Sequence, residues 1–420
     1  MAQSSQTTPG AQGIRAGPPS LPPVQHLELR VDDVAVGGDG IARADDGRVV
    51  FVRGGVPGDV VDVRVTEDKP RMLRAEAVAV RTPSADRTSP PCPHAAEGCG
   101  GCGWQHLDLQ GQRRWKRRMV EESLRRLGHL EGSVEPGPEL PASGFRTSLR
   151  CLVTPDGLAF RGARSHDAVV VEGCLVAHPG LDELVRYGRF GTADEAVLRI
   201  GGATGERLVV LDPTVAGDVE LPADVAVVGA DELAAGHPAH LHDEVAGRRF
   251  RVSARSFFQT RTDGAEALVS AVRDAGGDGW GSGHLADLYG GVGLFGSTLG
   301  DGMRTTVVES SRSSVADAEV NLADRDATVV RSAVERWRPA PADLVVADPP
   351  RAGLGRGGVD VVAGTGAGRV VLVSCDAAAF GRDAGLLAAA GYERRSTVLV
   401  DLFPHTPRVE LVSRFDRTAA

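Results

Sequence analysis

Between His26 and Val80 apolar and polar residues alternate in short runs, LELRVDDVAV, GRVVFVRG, DVVDVRVTED and AEAVAV, separated by Gly, Pro and Asp. A period of two sends alternate side chains to one face, so residues 25–82 are predicted to form a small antiparallel β-barrel. Such barrels often serve as nucleic-acid platforms. The Pro- and Ser-rich stretch RTPSADRTSPP, Arg81 to Pro91, bounds it. From about Arg249 the pattern changes, with the apolar runs HLADLY, TTVVE, ATVVR, DLVVADPP, RVVLVSC and STVLVDLF spaced by helical stretches. That alternation predicts a doubly wound, mostly parallel α/β sheet over residues 249–420. Between the two, residues 83–248 are assigned to a central α+β domain whose runs LRCLVTPDGLAFRG and DAVVVEG read as hairpins. The leading residues 1–24 carry no apolar run and are expected to form a disordered tail.

Composition narrows the class. The chain has 420 residues, 42% hydrophobic and 25% charged, which is enough for several domains each with its own core. No stretch approaches the roughly 20 apolar residues needed to span a bilayer, and nothing at the start reads as a signal peptide, so a cytoplasmic location without membrane contact is expected. A net charge of -9 argues against indiscriminate binding to polyanions. It leaves room for a local basic face, and Gln112 to Gly128 offers one on a helix: Arg113, Arg114, Lys116, Arg117, Arg118, Arg125 and Arg126, against apolar Trp115, Met119, Val120, Leu124 and Leu127. The competing reading is a solvated helix face paired with Glu121 and Glu122.

Chemistry enters with the cysteines. Cys92, Cys99 and Cys102 cluster in PCPHAAEGCGGCGWQH, and in a cytoplasmic chain such clustering points to a metal centre rather than to disulfides. Glycines at 98, 100, 101 and 103 let the backbone wrap closely, and cysteine ligation suits zinc or an iron–sulfur cluster. A distant fourth ligand is needed, with Cys174 preferred and Cys151 second; His94 is an alternative zinc ligand. Cys375, in VVLVSCDAAAFGRD, would alone read as a buried core thiol. It lies between ADPPRAGLG and DLFPHTPRVE, however, and this setting suits a nucleophile that adds to carbon 6 of uracil and so activates carbon 5 towards a methyl donor. Glu410 is the candidate base for the carbon 5 proton, and Asp348 is a second acid nearby.

A nucleotide-type cofactor turn is also present. ADLYGGVGLFG, Ala286 to Gly296, places a Gly-rich turn between a strand and a helix, and Glu309 ends the next strand. Glycines admit the cofactor backbone closely and the acid can bond ribose hydroxyls, which by itself fits NAD or S-adenosylmethionine. The Asp-Pro-Pro turn selects S-adenosylmethionine, because it suits base methylation and has no part in hydride transfer.

Taken in order, PSADRTSPPC with CGGCGWQHL, RSFFQ, DLYGGVG, DPPRAGL, SCDAAAFGRD and DLFPHTPRVE resemble the RNA 5-methyluridine methyltransferases. The likeness runs from about residue 25 to 416 and is greatest to the branch with a TRAM barrel and an iron–sulfur cluster. It implies a Rossmann-like class I methyltransferase domain behind an N-terminal TRAM/OB-like barrel and a central α+β domain, acting as a monomer on RNA, with 23S rRNA preferred. By the resemblance, Cys375 is the nucleophile and Glu410 the proton acceptor; Gln259, Tyr289, Gly291, Glu309 and Asp348 bind cofactor and uracil; Cys92, Cys99, Cys102 and Cys174 hold a 4Fe-4S cluster, with zinc as the alternative and Cys151 structural. The chain departs from the family pattern in several places. Six residues separate Cys92 from Cys99 where five are usual. Gly290 replaces Cys, Leu294 replaces Asn, Ser332 replaces an acid, Ala377 replaces Pro and Arg408 replaces His. Three other readings compete: action on transfer RNA, methylation of an exocyclic nitrogen, and a noncatalytic RNA-binding factor.

Overall fold

A computed structural model describes residues 26–418, so the expected tail at residues 1–24 lies outside the described residues. The strands β1 (His26–Val34), β2 (Gly40–Arg43), β3 (Val49–Arg53), β4 (Val60–Lys69) and β5 (Met72–Thr82) close into a barrel in the order β1-β2-β3-β5-β4. Alternate residues, among them Val31, Val50, Val52, Val61, Val63 and Leu73, fill its interior, as the two-residue period requires. The barrel is not wholly antiparallel: β3 and β5 pair parallel. An odd number of strands cannot alternate direction all the way round a closed ring, and this pair absorbs the mismatch.

Helix α1 (Leu109–Ser123) begins at Asp108, whose carboxylate accepts from Gly111 N at 2.6 Å, and runs into a π-helical turn at Leu124–Gly128. The short strand β6 (Glu135–Pro136) follows. The central region then supplies β7 (Ser148–Thr154), β8 (Gly157–Arg161), β9 (Ala168–Val170), helix α2 (Pro179–Tyr187), β10 (Arg189–Phe190), β11 (Glu195–Ile200), β12 (Arg207–Asp212), β13 (Val219–Glu220), β14 (Val225–Gly229) and helix α3 (Ala230–Ala234). Its main sheet has the order β14-β12-β11-β7-β8-β9, with α2 packed on it through Leu181, Leu184 and Val185. A hairpin of β15 (His240–Val245) and β16 (Arg248–Ser253) leads into α4 (Thr262–Gly276).

The last part is built from β17 (His284–Leu288), α5 (Leu294–Leu299), β18 (Arg304–Glu309), α6 (Arg312–Asn321), β19 (Ala327–Arg331), β20 (Leu344–Ala347), α7 (Gly355–Gly364), β21 (Arg369–Ser374), α8 (Ala377–Ala389), β22 (Tyr392–Leu399) and β23 (Leu411–Arg417). Its sheet runs β19-β18-β17-β20-β21-β23-β22-β6. The strands from β19 to β21 are parallel, and β23 enters antiparallel between β21 and β22. β17 and β20 are buried at every position because apolar layers cover both faces, the usual condition of a parallel sheet. This is the expected doubly wound architecture.

Two boundaries differ from the pattern-based division. The junction at 248/249 falls inside the β15–β16 hairpin, which pairs from His240 with Ser253 to Val245 with Arg248. β6 joins the far edge of the last sheet through β22, while Met119, Val120 and Leu124 enter the same core as Phe380 and Leu387 of α8. Residues 109–136 therefore belong physically to the parallel-sheet layer. A two-residue strand has no period, and helix packing across that sequence distance leaves no local signal.

The basic face of α1 is largely committed to contacts inside the protein. Arg117 donates to the Val134 carbonyl, Arg114 to Asp86, Arg125 to Glu122, and Lys116 is fully buried. No helix among the described residues is long and apolar enough to cross a membrane.

Candidate functional site

The carboxyl ends of the parallel strands open onto a cavity of about 780 Å³, the place where open α/β sheets bind ligands. Gln259, Tyr289, Gly291, Glu309, Asp348, Cys375 and Glu410 all line it. Elements far apart in sequence supply them. Gln259 follows β16, Tyr289 and Gly291 follow β17, Glu309 ends β18, Asp348 follows β20, Cys375 follows β21, and Glu410 immediately precedes β23.

The turn after β17 is shaped for a ligand. Tyr289 and Gly291 have φ of 58° and 56°, in the left-handed region. A side chain on Gly291 would meet nothing within 4 Å, so its backbone faces open space, and its N–H donates to Glu309 Oε2 at 3.0 Å. Glu309 Oε1 accepts from Ser311 N at 2.6 Å, which fixes the carboxylate at the strand end. The Tyr289 hydroxyl donates to Glu335 Oε1 at 2.7 Å. Beneath the turn lies Asp287, fully buried, with one oxygen accepting from Gly296 N at 2.9 Å and the other without a partner. Burial pushes its carboxyl up to about 7.

The departures from the resembled family have local physical settings. A side chain at Gly290 would come within 2.5 Å of Val307 Cγ1, so glycine suits the close packing of this turn. Leu294 is buried in the apolar core rather than facing the cavity, whereas Ser332 lines the cavity and donates to the Ala333 carbonyl. Ala377 is the first residue of α8, the position where proline is tolerated best, and Asp376 caps the same turn by accepting from Ala379 N at 2.8 Å. Arg408 is exposed at the cavity rim.

Cys375 sits between β21 and α8, half-buried. A helix N-terminus favours a thiolate, yet burial outweighs it here, and with the carboxylates of Glu410 and Asp348 it pushes the thiol up to about 11. Arg351 acts in the opposite sense. Glu410 is buried, and burial together with Asp348 holds it well above the usual carboxylate range. Asp348 is also raised by burial. Two such acids in one site titrate as a coupled pair.

Residues not singled out by sequence also belong to the site. Arg146 and Phe257 line the cavity, the latter 65% exposed. Arg351 and Asp287 lay within quoted motifs, ADPPRAG and ADLYGG, so a motif-adjacent charge was the available signal. Arg146 had none, because a tertiary contact alone brings it there.

Cys92, Cys99, Cys102 and Cys174 line a second cavity of about 190 Å³. Burial raises the Cys102 thiol to about 12, with Cys174 and Cys99 adding to the shift, and raises Cys174 with a contribution from Cys99. Cys151 is buried in the central core instead. Among the described residues no three or more His, Cys, Asp or Glu side chains are grouped as they would be around a single metal ion. His94 bonds Glu97 through Nδ1 at 2.6 Å.

Comparison with known proteins shows the family and the fold. The TRAM domain family model matches residues 23–78. An uncharacterized RNA methyltransferase of Streptomyces avermitilis is 38% identical, the match covering 94% of this chain and 99% of that protein. One from Thermosynechococcus vestitus is 31% identical over 92% of this chain and 97% of its own length. Among solved structures, the Pyrococcus abyssi tRNA (uracil-54, C5)-methyltransferase in complex with S-adenosyl-L-homocysteine shares the fold, with a TM-score of 0.70, 24% identity and coverage of 92% of this chain and 99% of that one. At the identity and coverage of the first two relatives, the chain belongs to the RNA methyltransferase family.

Proposed function

We propose that the protein methylates carbon 5 of a uridine in RNA, with 23S ribosomal RNA the preferred substrate, through a covalent bond between Cys375 and carbon 6. The observation that carries this reading is the convergence of Cys375, Asp348 and the buried Glu410 in the cavity that also holds the Gly291 turn and Glu309. S-adenosylmethionine, held by the Gly291 turn, Glu309 and Asp348, would supply an electrophilic methyl group. The open space beyond Gly291 and the acid fixed at Glu309 support that fit.

In this mechanism the Cys375 thiolate forms the S–C6 bond, and electron density moves to carbon 5, which takes the methyl group. Glu410 then accepts the carbon 5 proton, the C5–C6 double bond re-forms, and the Cys375 sulfur leaves as thiolate. The resting thiol is raised; Arg351 and protonation of Asp348 favour its thiolate, while Glu410 must be ionised when it accepts the carbon 5 proton. Gln259 and Arg408, on the cavity wall, are assigned to orienting uracil and its phosphate.

By the family resemblance, the cavity lined by Cys92, Cys99, Cys102 and Cys174 is assigned to a 4Fe-4S cluster, with zinc the alternative. Bound there, a cluster would cross-link the segment at Cys92 to Cys102 with Cys174. The choice of ribosomal over transfer RNA rests on the resemblance of the barrel and these cysteines to the branch that acts there, and a cytoplasmic monomer goes with the same reading. Mass mapping of ribosomal and transfer RNA from cells with and without the protein tests the reading. One 5-methyluridine should be missing from 23S RNA, and an unchanged RNA would reject it.

A further inference from the structure

The loop Asp401 to Glu410 carries the proposed base, and the barrel reaches it directly. Trp104, 2% exposed, donates its backbone N–H to the His405 carbonyl at 2.8 Å and its indole N–H to the Gly38 carbonyl at 2.9 Å. Gly38 sits in the turn between β1 and β2 with φ of 96°. A Cβ there would fall 2.6 Å from Trp104 Nε1 and 2.7 Å from Pro407 Cβ. Its neighbour Gly37, with φ of 103°, would meet nothing within 4 Å. Asp39 of the same turn is held by Arg164 of the central region at 2.8 Å. The turn is therefore wedged between the central region and the loop from Asp401 to Glu410, and its contact at Pro407 lies three residues before Glu410.

We propose that Gly38 and Trp104 are positioning residues for Glu410, through which the barrel sets the geometry of the proton-removal half of the reaction. The inference rests on the reading of Glu410 as the base. Neither residue lines the cavity that holds Cys375. Their influence falls on the His405–Pro407 backbone, which leads through Arg408 to Glu410, whereas Cys375 is anchored separately by β21 and the Asp376 cap.

The two halves can be measured separately with the full chain and total RNA from cells lacking the enzyme, grown on 5-tritiated uridine. Methyl label from S-adenosylmethionine reports carbon–carbon bond formation, including methyl held in a denaturation-resistant protein–RNA adduct, and tritium release reports proton removal. In Gly38→Ala tritium release should fall about 100-fold while adduct-bound methyl accumulates, the scale expected of a small misplacement of a reacting group. Gly37→Ala, with the same backbone demand and open space, should stay within about twofold of the parent in both. Trp104→Phe keeps an aromatic ring of smaller size and loses the indole N–H, and should show the same imbalance more weakly, which covers the case of poor folding in Gly38→Ala. Parallel loss of both signals, no loss in either variant, or an equal effect at Gly37 would overturn the proposal. A parent enzyme that releases no tritium and makes no 5-methyluridine would instead reject the function.

Discussion

Lys116 Nζ lies 2.6 Å from Asp401 Oδ1 in a buried ion pair, and it also donates to the Phe403 carbonyl at 2.8 Å. One turn earlier on α1, Gln112 accepts from His405 N at 2.6 Å and donates to the Trp104 and Leu107 carbonyls. The loop that ends at Glu410 is thus docked on α1 by buried polar groups whose partners are specific. A buried pair of this kind adds little over an apolar equivalent, but removing one member strands a charge. Lys116→Met should cost about 3–5 kcal/mol in denaturant unfolding. Lys116→Met with Asp401→Leu should recover much of that loss, and equal destabilisation in both would show that the charge pairing is not what docks the loop.

The raised Cys375 thiol sets an expectation for its chemistry without RNA. Alkylation by iodoacetamide follows the thiolate, so its rate at Cys375 should be slow near neutrality and climb about tenfold per pH unit towards its ionisation at about 11. In Glu410→Gln a group that is negative when ionised is gone, the thiol ionises at lower pH, and alkylation at alkaline pH should quicken. A rate independent of pH between neutrality and 10 would contradict the environment described for this thiol.

Asp287 carries a stability signature. Its carboxyl is raised in the fold to about 7 from an ordinary value near 4, so the native state favours the protonated form. The stabilisation is complete below the unfolded value and is lost as pH rises through about 7. Unfolding free energy should therefore decline between pH 4 and 7, by up to about 4 kcal/mol from this group. Asp287→Asn should flatten that decline, and an unchanged profile would place the titration elsewhere.

The cysteine cavity predicts bound iron and inorganic sulfide in protein purified without oxygen. Cys102→Ser and Cys174→Ser should each lose both, with a lower melting temperature, while Cys151→Ser should retain them. Zinc with no sulfide would reject the cluster.

That the chemistry-bearing residues would line one cavity was legible because each lies at or just after a strand end inside a local motif: Gly291 and Glu309 after apolar runs, Asp348 in Asp-Pro-Pro, Cys375 ahead of a capped helix. A doubly wound sheet places all strand ends on one side, so the motifs imply their own convergence. What holds them was not legible. Lys116 and Asp401 are 285 residues apart, and nothing near either names the other. Lys116 read instead as part of a basic helix face. The wedge at Gly38 was hidden likewise, since a glycine in a barrel turn looks the same whether its Cα meets solvent or Pro407. The parallel β3–β5 pair follows from closing five strands into a ring, a property of the assembled barrel rather than of any strand.

The central claim is that Cys375 bonds covalently to uracil in RNA. RNA containing 5-fluorouridine has no carbon 5 proton to lose, so after methyl transfer the adduct cannot resolve. With S-adenosylmethionine present, the parent protein should form a complex with such RNA that survives denaturation, with peptide mapping locating the link at Cys375, and Cys375→Ala should form none. A Cys375→Ala protein that still forms the complex, or a parent that methylates uridine yet forms none, would contradict the claim.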